Sequence, residues 1–239
     1  HDFLKVKLHL EKEYFLFLIL FVSLILSKSS LGYIGCAFIF IIPYFTFKKM
    51  LFLIITIPIV GVMGFWTYEN NENFKMRIDD TVSSINSIHY GKFRSDTNIS
   101  SYALMSNLFI AKSNFVEHPL GSGLGSHTYV HKKIYSKNMT PPKYIKTLKL
   151  QDINSSDANS LFIRMFSELG LLGLILIGFV LYKFSICFKY DDLIIAQGIF
   201  IYILLKLIRD GHYFSPEIYF FIWLLYYSLK DKKDQYKLS

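Results

Sequence analysis

Ionisable side chains cluster at particular places in this chain, and their spacing limits the chemistry they could perform. Arg164 and Glu168 stand four residues apart, one helical turn, so on a helix they share a face. Lys206 and Arg209 are three apart and share a face in the same way, with Asp210 and His212 just beyond and Glu217 following. Lys28 interrupts an otherwise apolar stretch. All these groups sit at the ends of long apolar blocks. Ionisable residues at membrane depth are costly and usually face a polar cavity; the bland alternative is interfacial snorkelling plus a simple Arg164–Glu168 helix pair. The glycines of HPLGSGLGSH, residues 118–127, could let backbone N–H groups of Gly121, Gly123 and Gly125 form an anion nest for an anionic or sugar ligand. A plain turn is the competing reading. The pattern is neither a Rossmann nor a P-loop signature, because no strand precedes it and no Lys-Ser/Thr follows. His118, His127 and His131 lack the second set of ligands that a zinc site requires, so no metal is expected.

The elements that must hold these groups are apolar helices. Hydrophobic residues make up 52% of 239 and mean hydropathy is +0.35, but what matters is that they come in blocks: 14–26, 31–47, 50–66, 161–182, 193–208 and 213–229. Each is about long enough to cross ~30 Å of hydrocarbon, several at the short end. Backbone groups in lipid must bond internally, and the alternation of a membrane β-barrel is absent. The expectation is an all-α, polytopic transmembrane helix bundle of about six spans with one large extracytoplasmic loop containing short helices. Residues 1–66 form a first membrane part with three spans, 67–157 the loop, and 158–239 a second part with three spans. The first block is not a signal peptide, since two further blocks follow closely and no cleavage site separates them. The start at His1 reads as the C-terminal portion of a longer protein.

The net charge of +8 is distributed as a topology signal. Lys5, Lys7 and Lys12, then Lys48 and Lys49, then Lys183 and Lys189, then the C-terminal lysines all fall on one side, the cytoplasmic one, so nucleic acid is not an expected partner. Cys36 and Cys187 lie toward opposite faces and are expected as packed thiols. Within the loop, Leu104, Leu108 and Ala111 share a helical face, which predicts a helix over 99–115 near the membrane surface, ending before His118 and Pro119. Residues 132–149, rich in Lys and Tyr, read as an exposed loop.

Three segments together resemble the O-antigen polymerase/ligase family of bacterial surface-polysaccharide membrane proteins. Residues 24–32, LILSKSSLG, are similar to the family's span ending in a Ser-Arg-Gly-type turn, with Lys28 where Arg is usual. Residues 115–126, FVEHPLGSGLGS, resemble its Pro-x-x-Gly-x-Gly stretch, and residues 157–173, DANSLFIRMFSELGLLG, its Glu and Gly-x-x-Gly pattern closing the large loop. Residues 207–211, LIRDG, are a weaker fourth match. The resemblance implies a metal-independent, cofactor-free glycosyltransferase of the bacterial inner membrane, its large loop facing the periplasm or outside. Such an enzyme polymerises polyprenyl-diphosphate-linked oligosaccharides amid membrane lipid, with chain-length regulator and flippase proteins as partners. It also implies diphosphate contacts from Lys28, Arg94, Lys206 and Arg209, and a base drawn from Glu168, Asp157, His127 and His212. The glycines, Asn159 and Arg164 complete the substrate-binding set. Where ligases of the family commonly carry a His, about eleven positions before Gly170, this chain has Asn159, which favours polymerase over ligase unless His127 or His212 substitutes. A lipid-linked sugar transporter would share the cavity without making bonds, though no inverted repeat is visible. A docking protein would tolerate loss of the charges.

Overall fold

The computed structural model describes residues 50–190 and 193–238, with isolated positions 15, 19, 22, 23, 32, 35, 38 and 39 ahead of them. Among the described residues the fold is helical, with a single isolated bridge, Lys92 to Thr140, in place of any sheet. The helices are α1 (Met50–Asn70), α2 (Glu72–Tyr90), α3 (Ile99–Glu117), α4 (His127–Asn138), α5 (Lys143–Thr147), α6 (Leu161–Phe184), α7 (Ile194–Arg209) and α8 (Pro216–Leu238). A short 3₁₀ turn, Ser185–Lys189, extends α6.

Local chemistry sets the boundaries. The Asn71 side chain caps α2 by accepting from Phe74 N at 3.1 Å, and Gly91 ends it in a left-handed conformation that favours glycine. Asn98 caps α3 through Ser101 N at 2.8 Å, and Ser160 caps α6 through Ile163 N at 3.3 Å.

The helix expected over 99–115 is α3, ending at Glu117 just before His118. It is the centre of the loop region, and both its faces are used. The expected face, Leu104, Leu108 and Ala111, packs with Ala158, Ile163 and Phe166 against α6. Phe109 and Ile110 on the other side pack on Val130 and Ile134 of α4. Burial on two sides leaves little apolar surface for a membrane. Residues 132–149 depart from the exposed loop expected: α4 continues to Asn138, α5 follows, and Ile134 and Ile145 are buried. These isoleucines, spaced too far apart for a periodic signal, anchor an otherwise lysine-rich segment.

Among the described residues one helix, Leu161–Phe188, is long and apolar enough to cross a membrane by length and composition. Leu171, Leu172, Ile175, Leu176 and Phe179 are exposed along it, the way a helix facing lipid presents itself. Of the six spans expected, this test supports one among the described residues. The first two blocks lie mostly outside the described residues. α7, at 16 residues, reaches only about 24 Å. α8 turns charged after Leu229. α7 and α8 nonetheless pack on each other and on the 3₁₀ turn, around Cys187, Ile199, Phe200, Ile203 and Leu225. Cys187 is a buried free thiol, and Cys36 lies outside the described residues.

Candidate functional site

The site begins with a break in α6. Gly170 adopts φ 57°, ψ −132°, a conformation essentially reserved for glycine. The break frees backbone groups of the helix, and the glycine-rich loop takes them up. Leu171 N, which an unbroken helix would direct to Ser167 O, donates instead to Pro119 O at 2.9 Å. Ser167 O accepts from the Asn114 side chain at 2.7 Å, and Glu168 O from Gly123 N at 2.9 Å. The approach is close enough that a Cβ on Gly121 would collide with Glu168 O, and one on Gly170 with Pro119 O. Loop and helix are therefore one unit.

At its centre lies Glu168, 1% exposed. One oxygen, Oε1, accepts from Arg164 Nε at 3.2 Å and, more distantly, from His127 N at 3.4 Å. The other, Oε2, accepts from Gly125 N at 2.9 Å and from the Tyr213 hydroxyl at 2.8 Å. A carboxylate offers about four lone-pair sites, and all four are engaged. Of the three glycines expected to form a nest, only Gly125 gives its N–H to an anion, the protein's own Glu168 carboxylate; Gly121 N donates to His118 O and Gly123 N to the backbone O of Glu168. Expected as the best-placed base, Glu168 instead has no lone pair turned to solvent. Its geometry is that of a group that holds others in place.

Arg164 is what it holds. The guanidinium, 16% exposed, also donates to Gly211 O at 3.0 Å and lies 4.4 Å over the Tyr213 ring. These contacts dock the turn between α7 and α8 onto the start of α6. Gly211 lies so close to Asp157 that a Cβ would strike its carbonyl oxygen, and the Ser160 hydroxyl donates to Leu207 O at 2.9 Å. Asn154, Ala158 and Asn159 take left-handed conformations in the tight approach to α6. Asp157 Oδ1 accepts from Asn159 N at 3.0 Å, and its Oδ2 lies 3.9 Å from His212 Nε2.

Arg164, Asp210, His212, Tyr213, Ser215 and Glu217 are among the residues lining a cleft of about 480 Å³, within the ~300–1,000 Å³ usual for small-molecule sites. Lys206 pairs with Asp210 at 3.1 Å. Arg209 donates to the Ser100 hydroxyl at 2.9 Å and has no carboxylate within 4.0 Å among the described residues.

The structure thus gathers Asp157, Asn159, Arg164, Glu168, Lys206, Arg209, His212 and the three glycines around one end of α6. Others fall elsewhere. Arg94 makes a surface pair with Asp96 at 2.7 Å, 61% exposed, on a different cleft beside Tyr68 and Asp80. Lys28 lies outside the described residues. His127 is buried, its Nε2 2.9 Å from Asn107 Oδ1, and burial, with smaller contributions from His131 and Arg164, pushes its pKa down to about 3. Neutral and walled off from the cleft, it is badly placed to move protons for a substrate. His131 beside it is brought down to about 4, again chiefly by burial. Tyr213, Asn107 and Asn114 were not foreseen. Only the position of Tyr213 next to His212 hinted at it.

The family model described as O-antigen ligase matches residues 15–178. That stretch takes in the glycine loop, Arg164 and Glu168; the α7–α8 turn falls outside it. No curated protein and no solved structure matches the chain. With well over half of its 239 residues matched, the chain belongs to the O-antigen ligase family of bacterial inner-membrane proteins, which act on lipid-linked oligosaccharides in ligase- or polymerase-type glycan transfer.

Proposed function

We propose that the chain is a membrane glycosyltransferase that polymerises polyprenyl-diphosphate-linked oligosaccharides, with the cleft at the start of α6 as its reaction site, opening away from the cytoplasm. The observation carrying this reading is the fixed Arg164 guanidinium on the cleft wall. A planar fork held from behind by Glu168 suits a phosphate oxygen, whose charge grows as the diphosphate departs. Arg209, free of any carboxylate among the described residues, and Lys206 extend the positive charge along the end of α7.

In the reaction an acceptor hydroxyl attacks the anomeric carbon of the donor sugar, the bond from that carbon to the diphosphate oxygen breaks, and polyprenyl diphosphate leaves with the electron pair. The hydroxyl proton goes to His212 on the cleft wall, and Asp157 stabilises the resulting imidazolium across the turn. Glu168 is a positioning residue in this scheme. No step needs a metal or cofactor.

Polymerisation in place of ligation rests on Asn159 standing where family ligases carry a His. One observation favours the ligase reading: His212 approaches Asp157, which itself bonds Asn159, so an imidazole stands near the vacated position. The two are separated by expressing the gene in cells lacking their polymerase and, separately, in cells lacking their ligase, each making the matching repeat unit. A restored glycan ladder in the first that His212→Ala weakens by about 10²–10⁴ in rate supports polymerisation through His212. Restoration only in the second points to ligation. No restoration in either, with the protein confirmed in the membrane, refutes glycan transfer and returns the transporter and docking readings.

A further inference from the structure

We propose that the same cleft contains a sugar-ring subsite whose platform is the stacked pair Phe214 and Tyr219. This names a subsite of the transferase reading above and rests on it. Phe214 is 83% exposed, and no other large apolar side chain among the described residues is more so. Its ring stacks on that of Tyr219, centroids 6.3 Å apart and planes within 17°. The pair is tied to the hub of the site: the Tyr219 hydroxyl donates to Tyr213 O at 3.2 Å, and the Tyr213 hydroxyl donates to Glu168. An aromatic face held at a fixed place beside Arg164 is thus presented to the cleft that Phe214 lines.

The chemistry around that face selects a carbohydrate. The negative face of a π system attracts the weakly positive C–H groups on one side of a pyranose. The sugar's edge carries hydroxyl donors, which need acceptors around the rim. Asp210 and Glu217 supply them, each already steadied: Asp210 by Lys206 and by His212 N at 3.1 Å, Glu217 by the Ser215 hydroxyl. A flat apolar ligand would leave these carboxylates unmatched.

An aromatic at this position could instead serve only as a membrane-interface anchor, and the test separates the two. The full chain in lipid nanodiscs is titrated with the free oligosaccharide released by mild acid from the host's own surface glycan, so no lipid or diphosphate is present. Wild type, Phe214→Leu and Phe214→Trp are compared. Leu keeps an apolar anchor but removes the π face, so a platform predicts affinity weakened by about tenfold; Trp restores a face and should bind within about threefold of wild type. Equal binding by the Leu variant, or no binding by wild type, overturns the subsite. Glycosidic-bond formation by the Leu variant at wild-type KM would overturn it while leaving the transferase reading intact. Oligosaccharide binding that depends on Phe214, without bond formation by wild type, would do the reverse.

Discussion

Four glycines of this chain should respond to alanine in a graded way. Gly178 lies in the lipid-facing part of α6 with ordinary helical geometry and open space where a Cβ would go. Replacing it should be neutral or stabilise by up to about 1 kcal/mol, the helix-propensity difference. Gly123 also has open space but φ +100°, so alanine there meets backbone strain alone, about 1–3 kcal/mol. Gly121 and Gly170 combine positive φ with a Cβ that meets backbone across the loop–helix contact. To relieve the collision the loop must withdraw, giving up the Leu171 N to Pro119 O and Gly123 N to Glu168 O bonds, each worth about 1 kcal/mol. Strain and lost bonds together come to about 3–5 kcal/mol. Withdrawal would also take Gly125 N and His127 N from Glu168, so Arg164 should loosen and transfer should fall with stability. Thermal unfolding of the four purified variants, alongside glycan transfer, reads both effects. Equal midpoints for Gly170→Ala and Gly178→Ala would refute the docking of loop on helix, and with it the reasoning about the site.

Two further outcomes follow from the same geometry. Glu168→Ala leaves a mostly buried guanidinium without its counter-charge and should cost about 3–5 kcal/mol, whereas Tyr213→Phe, which removes one hydrogen bond to a charged group, should cost about 1.5–3 kcal/mol; wild-type melting by both would show that the carboxylate is not the hub. His127 and His131 are neutral in the fold with pKa values lowered from 6.5 to about 3 and about 4, so below pH 6.5 the unfolded chain binds more protons than the folded one. Their contribution is complete above pH 6.5 and is lost as pH falls toward those values, by roughly 2 kcal/mol per histidine at pH 5; a melting temperature that does not fall between pH 7.5 and pH 5, or that falls equally in His127→Gln, would contradict the buried neutral pair.

Several of these features could be read from residue spacing, and the limits of that reading are physical. Leu104, Leu108 and Ala111 marked α3 because a helical period of 3.6 is a local property. The Arg164–Glu168 pair was visible for the same reason. Glycine clustering suggested a nest for a ligand, but the carboxylate that Gly125 N–H meets belongs to a residue 43 positions away in sequence, and no local pattern encodes that pairing. His127 looked like a catalytic candidate because sequence gives residue type without burial. Arg94 shared the charge of Arg209 but not its place. Apolar composition alone does not give helix length: α7 is apolar throughout most of its course but short.

The charges on the cleft wall and at the adjoining end of α7 also predict which cation meets the diphosphate. Arg164 is largely neutralised by Glu168, and Lys206 by Asp210, so each brings more direction than net charge. Arg209 has a hydroxyl partner but no carboxylate within 4.0 Å among the described residues, which leaves it as the uncompensated charge. A partly buried cation without a carboxylate partner is where a dianionic leaving group gains most, at about 1.5–3 kcal/mol per charge-assisted bond, or roughly 10- to 100-fold. Inorganic pyrophosphate added to a transfer assay should therefore compete with the lipid-linked donor, and Arg209→Ala should weaken that inhibition by at least about tenfold. Arg164→Lys, which keeps the charge but loses the fork, should instead lower kcat with a smaller change in pyrophosphate inhibition. If both variants shift inhibition equally, charge and orientation are not divided between these two residues. If Arg209→Ala leaves inhibition unchanged, the diphosphate binds elsewhere, and the cleft at the start of α6 loses its claim to the leaving group.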